Sequence, residues 1–136
     1  MRRWERNVDK TSKKYLKLKE IMESVGGLYG PYTDRPPFTE PNAFPIGEGW
    51  YDIVGHLIVD LVAMGWDRHS YQVKEKFGGL RFYIGGAEKE IHDRITKAEA
   101  ESYHVCEVCG EPGKLRQTGW VLTLCTPCYK EHKKAK

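Results

Sequence analysis

The sequence predicts an α+β fold, with about three helices packed on a β-hairpin and a four-cysteine zinc ribbon at the C-terminal end. Three observations carry that expectation. Apolar residues recur at steps of three and four in several stretches, most strongly over residues 50–64, as in helices with one buried face. Residues 71–85 instead alternate apolar and polar around Gly78-Gly79, the pattern of two strands joined by a tight turn. All four cysteines fall in two Cys-x-x-Cys pairs, Cys106/Cys109 and Cys125/Cys128, with fifteen residues between the pairs.

A chain of 136 residues with 40% hydrophobic content can bury one core and carry a small metal-stapled unit. The expected division is residues 1–104 for a helical and hairpin domain and 105–136 for the ribbon. Charge is uneven. Residues 1–24 hold eight Lys/Arg against four Asp/Glu, a net +4; residues 25–103 hold eight against twelve, a net −4; residues 104–136 hold six against three, a net +3. Basic ends around an acidic middle allow contact with an anionic partner, and equally allow neutralisation between segments. The opening Met1-Arg-Arg-Trp-Glu-Arg is too charged for a secretory signal. The most apolar stretch, 53–66, contains His56 and Asp60 and is too short to span a bilayer. A cytoplasmic protein with no membrane partner is expected.

Residues 4–25 read as the first helix, with Trp4, Val8, Thr11, Tyr15, Leu18, Met22 and Val25 on one stripe, five lysines mostly off it, and Gly26-Gly27 as the stop. Residues 26–49 hold five of the seven prolines together with Tyr29, Tyr32, Phe38 and Phe44. So many rings argue for an ordered strap lying on the core, with partner binding as the sharper alternative. Residues 50–64 form the central helix. Its Asp52, His56 and Asp60 are spaced by four and share a strip. The strip is either the polar side of a half-buried helix or an acid/base or metal site.

In the hairpin, a Gly78-Gly79 turn sets Phe77 opposite Leu80, Glu75 opposite Phe82 and Val73 opposite Ile84, all on the face toward the helices. Lys74, Lys76, Arg81 and Tyr83 then share the other face, with Lys76 directly opposite Arg81. A ring among clustered cations suits an anionic nucleotide or phosphate, and equally a solvated face with acids supplied from elsewhere. Glu75, an acid on the apolar face, calls for a buried cation or a place at the rim. Residues 87–104 read as a charged helix with a thin stripe of Ala87, Ile91, Ile95 and Ala98, running into Cys106.

Two Cys-x-x-Cys knuckles present four sulfurs to one ion, the tetrahedral set that Zn²⁺ prefers. Between them, Lys114-Leu-Arg-Gln117, a Thr118-Gly119 turn and Trp120-Val-Leu-Thr-Leu124 fit a short hairpin. Gly110 follows the first knuckle; Tyr129 stands where a second knuckle glycine is expected, which bears on the symmetry of the cage and not on its existence. A redox role for Cys125-Thr-Pro-Cys128 lacks the βαβ context such pairs use. His104 and His132 are read as surface histidines, since four sulfurs already complete the site. Lys114, Arg116 and Lys130 can simply offset the charge of a four-thiolate zinc centre.

Gly49-Trp50-Tyr51-Asp52, Val73-Lys-Glu-Lys-Phe-Gly-Gly-Leu-Arg-Phe82, Cys106-Glu-Val-Cys109-Gly110, and Gly119-Trp120 before Leu124-Cys125 together resemble a group of small zinc-ribbon proteins of bacteria and their phages, over about residues 44–128. The resemblance implies a setting and names no catalytic residue. The sequence carries no phosphate-cradling Gly-x-x-x-x-Gly-Lys-Ser/Thr and no His-Glu-x-x-His. The expected function is therefore a non-enzymatic interaction module with one structural Zn²⁺ on Cys106, Cys109, Cys125 and Cys128. Its partner would be nucleic acid or a nucleoprotein, met through Lys74, Lys76, Arg81 and Tyr83. The alternative is a phage-encoded inhibitor or adaptor that binds a host protein complex in counter-defence, with nucleotide sequestration as a lesser variant.

Overall fold

The computed structural model describes residues 8–31, 35–117 and 119–134. It is α+β. Helix α1 spans Lys13–Ser24, α2 Tyr51–Ala63, α3 Lys89–Ser102 and α4 Thr126–Lys134, and two antiparallel hairpins pair β1 (Ser70–Lys76) with β2 (Gly79–Ile84) and β3 (Lys114–Gln117) with β4 (Val121–Leu124). Among the described residues there are four α-helices where about three were expected. The fourth begins inside the second cysteine pair, where its short, strongly charged sequence hides any apolar period.

The first helix starts later than its apolar stripe implies. Asp9 accepts from the N–H and the hydroxyl of Thr11, and Ser12 caps the helix by accepting from the Tyr15 N–H at 3.1 Å. These short polar side chains hold the backbone in a turn and place the helix boundary at Ser12. Val8 and Thr11 therefore precede the helix, and Trp4 lies outside the described residues. The stripe itself holds where the helix exists: Tyr15, Leu18 and Met22 are buried.

α2 is the centre of the core. It packs between α1 and α3, and β2 closes the far side of α3. Ile53, Val54, Leu57, Ile58 and Leu61 are buried, as is Trp50 at the preceding 3₁₀ turn. Met64, which caps the end of this helix, is exposed. Burial of a side chain of this class contributes about 1.5–3 kcal/mol each, so this helix alone accounts for much of the driving force. Trp66 meets Phe82 edge to face at 5.7 Å and ties the hairpin to the core.

The strap is ordered where it is described. Leu28 bridges Phe38, Tyr29 bridges His69, and Phe38 meets Phe44 edge to face. Phe44, Ile46 and Pro41 are buried. Tyr15 donates to Glu40 at 2.9 Å and Lys19 reaches the same carboxylate at 3.2 Å, so α1 holds the strap by polar contacts as well. Tyr32 lies outside the described residues.

The β1–β2 register differs from the expectation. Lys76 pairs with Gly79, Glu75 with Leu80, Lys74 with Arg81 and Val73 with Phe82. The turn residues are thus Phe77-Gly78, both left-handed at φ 54° and 85°, the signature of a type I′ turn. Phe77 does not face Leu80 in the core; it projects from the tip and is 70% exposed. Glu75 explains the choice of turn. It is buried and accepts from the Gly78 N–H at 2.7 Å, which caps the turn. The cost is a phenylalanine in left-handed backbone, on the order of 1–2 kcal/mol.

Candidate metal centre and interaction face

The ligand atoms of Cys106, Cys109, Cys125 and Cys128 all lie within 4.8 Å of one another. The sulfurs of Cys109 and Cys125 are 3.5 Å apart, and all four cysteines are free of disulfides. A tetrahedron with metal–sulfur bonds of about 2.3 Å has sulfur–sulfur edges of about 3.8 Å. The cluster therefore fits one metal ion held by four thiolates. Among the described residues it is the one group of histidines, cysteines and carboxylates with metal-ligating geometry, and neither His104 nor His132 belongs to it.

The two knuckles close by the same backbone hydrogen bond. Gly110 N–H donates to the Cys106 carbonyl, and Tyr129 N–H donates to the Cys125 carbonyl, both at 2.9 Å. The first knuckle then turns into a loop and needs Gly110 at φ 87°. The second is the first turn of α4, where the same bond is the ordinary helical one and any L-residue serves. Tyr129 is thus accommodated without loss of the cage. Its ring receives Arg116 at 4.6 Å and Lys133 at 5.3 Å.

Two of the four crowded sulfurs, Cys109 and Cys128, resist ionisation. Burial pushes the Cys109 and Cys128 thiols up, and the neighbouring thiols push them further. At Cys125 burial also opposes the thiolate, but the Cys128 backbone N–H and the adjacent thiols outweigh it and lower the value. A bound cation would favour the thiolate at Cys109 and Cys128. Arg116 supports the module from within, donating to the Leu124 carbonyl and to Thr126 Oγ1.

The four-cysteine module is pressed closely against the core. Gly49 N–H donates to the Glu107 carbonyl at 2.8 Å, and the buried Glu107 carboxylate accepts from Gly47 N–H at 3.0 Å. Trp50 Nε1 donates to the Val105 carbonyl at 2.9 Å. On the other side, Thr123 Oγ1 donates to the Gly78 carbonyl at 2.6 Å, so the tip of β1–β2 rests on β3–β4.

The expected anionic-partner residues do share the solvent face of β1–β2. Lys74, not Lys76, stands directly opposite Arg81. Lys74 lies over the Tyr83 ring at 5.7 Å and Lys76 over Phe77 at 5.7 Å. Arg81 donates to the Tyr103 hydroxyl at 3.0 Å, a contact that raises its already high value, with Glu99 nearby on α3. Among the described residues, no ion pair involves Lys74, Lys76 or Arg81. Two of the α1 lysines do form ion pairs: Lys14 with Asp52 at 3.1 Å, and Lys19 with Glu40 and Glu23.

Comparison with protein-family models, with curated proteins and with solved structures returned no match, so the resemblance over residues 44–128 stands on its motifs alone. The Asp52, His56 and Asp60 strip is not brought together as a site. Asp52 is taken by Lys14 and Asp60 by Arg94 at 2.8 Å, while His56 is exposed. No helix among the described residues is long and apolar enough to cross a membrane. On the hairpin, Phe77 lies at the exposed tip and not on the core face expected for it. The signal available for it was Phe77-Gly78 as the turn, with Glu75 as its cap.

Proposed function

We propose that this protein is a non-enzymatic interaction module, held by one structural Zn²⁺ on Cys106, Cys109, Cys125 and Cys128, that contacts nucleic acid through the solvent face of β1–β2. Four soft thiolates in a tetrahedral set favour Zn²⁺, and a fully protein-filled coordination shell leaves no position for substrate or reactive water. The observation that carries the partner is Lys74 facing Arg81 across the strands, with Lys76 alongside. Like charges opposed in this way repel. Their neighbours are rings, Tyr83 and Tyr103, rather than carboxylates at ion-pair distance. Phosphate would relieve the repulsion and release counterions.

The test is binding of labelled oligonucleotides across a salt series, for the zinc-loaded protein and for K74S/K76S/R81S. Binding that weakens in the variant, with a log–log salt slope shallower by about two to three, supports the reading. No binding at low salt, or a folded variant with unchanged affinity, overturns it. A pull-down in which the partner survives nuclease would favour a protein-binding adaptor or inhibitor instead.

A further inference from the structure

We propose that Phe77 is a base-stacking residue and that the nucleic acid bound by this face is single-stranded. The inference rests on the reading above and narrows it. Phe77 occupies the first turn position of a type I′ hairpin at φ 54°, where Asn or Gly is at ease and a bulky aromatic is strained. A strained aromatic is normally compensated by burial. Phe77 is 70% exposed and gains little from the core. Backbone strain retained without a packing return marks a position held for contact with something else.

The surroundings name that contact. Lys76 lies beside the ring, and Lys74, Arg81 and Tyr83 continue along the same hairpin. The next residue, Gly78, is seated on Leu115 and Val121 and is fixed by the Thr123 hydrogen bond, so the tip is held firmly. Leu115 and Trp120 of the second hairpin are themselves exposed. The rings Tyr83 and Phe77 thus stand at opposite ends of a short row of cations. Rings on a basic track engage the faces of unpaired bases, whereas duplex DNA keeps those faces stacked inside and offers phosphates alone.

The full zinc-loaded chain is titrated with a short labelled oligothymidine and with a duplex of equal length, alongside Phe77→Asn and Phe77→Tyr. Expected results are tighter binding of the single strand, a loss of about 5- to 150-fold in Phe77→Asn, and retention in Phe77→Tyr. The melting temperature of Phe77→Asn should equal or exceed that of the parent, which separates lost stacking from lost structure; Phe77→Gly serves if the Asn variant fails to fold. Equal affinity for duplex and single strand, or undiminished single-strand affinity in a folded Phe77→Asn, overturns the inference. In that case salt-dependent binding through Lys74, Lys76 and Arg81 would still support the broader reading. Binding of neither oligonucleotide overturns both.

Discussion

The carbonyl oxygen of Cys106 occupies the space that a side chain at Gly49 would need. The contact joins the first cysteine of the cluster to the entry of the central helix. It is backbone against backbone, reinforced by the Gly49 N–H bond to Glu107. A metal bound to the cluster should therefore be linked mechanically to the packing of residues 46–50.

Replacing Gly49 by Ala should destabilise the protein. Backbone atoms cannot step aside as a flexible side chain would, so a cost of about 1–3 kcal/mol is expected, or several degrees in thermal unfolding. The variant should also release metal to a chelator faster than the parent. An unchanged melting temperature would show that the two segments separate freely.

Metal analysis should find about one zinc per chain, and removal of zinc should unfold the C-terminal module. Because Glu107 and Val105 also anchor residues 47–50, loss of metal should extend to the Trp50 environment, visible in near-ultraviolet circular dichroism. Cys106→Ser should reproduce the effect. Metal-free protein with native amide protection across residues 105–125 would refute the assignment.

Glu75 should matter as the acceptor that caps the turn. Glu75→Ala leaves the buried Gly78 N–H without its partner and should cost about 1–3 kcal/mol, whereas Glu75→Gln keeps an acceptor and should cost less. Urea midpoints compare the two. Equal losses would mean that the turn cap contributes nothing.

The bond between Tyr15 and Glu40 predicts stability that varies at both ends of the pH range. Burial, then the Glu40 bond, pushes Tyr15 from 10.0 up to about 12. Folding thus favours the neutral phenol, a contribution complete below pH 10 and lost as pH rises toward 12. Hydrogen bonds from Tyr15 and Lys19 hold Glu40 below its ordinary 4.5, so its contribution is present above that value and lost as pH falls. Tyr15→Phe should cost about 1 kcal/mol at neutral pH and flatten both limbs. Tyr51, also raised by burial, leaves a residual alkaline slope. Identical pH profiles for parent and variant would contradict the coupling.

By itself the sequence determined the class of fold, the central helix, the order of the strap and the four sulfurs that converge. Each follows from a period, a spacing or a composition, which are local properties of the chain. It also placed Lys74, Lys76, Arg81 and Tyr83 on one face, because a shift of register by two residues preserves the alternation of sides. What it left open depended on which side chain reaches which backbone group or charge, some near in sequence and others far along the chain. Glu75 selects Phe77-Gly78 over Gly78-Gly79 by reaching a particular N–H, and that moves Lys74 opposite Arg81. Ser12 and Asp9 trim the first helix, and Asp52 and Asp60 are consumed by Lys14 and Arg94. Tyr129 replaces a glycine only because the second knuckle is already helical. The docking of Cys106 and Glu107 on Gly47 and Gly49 was decided by tertiary structure alone, since close approach of two backbones leaves no periodic mark in either segment.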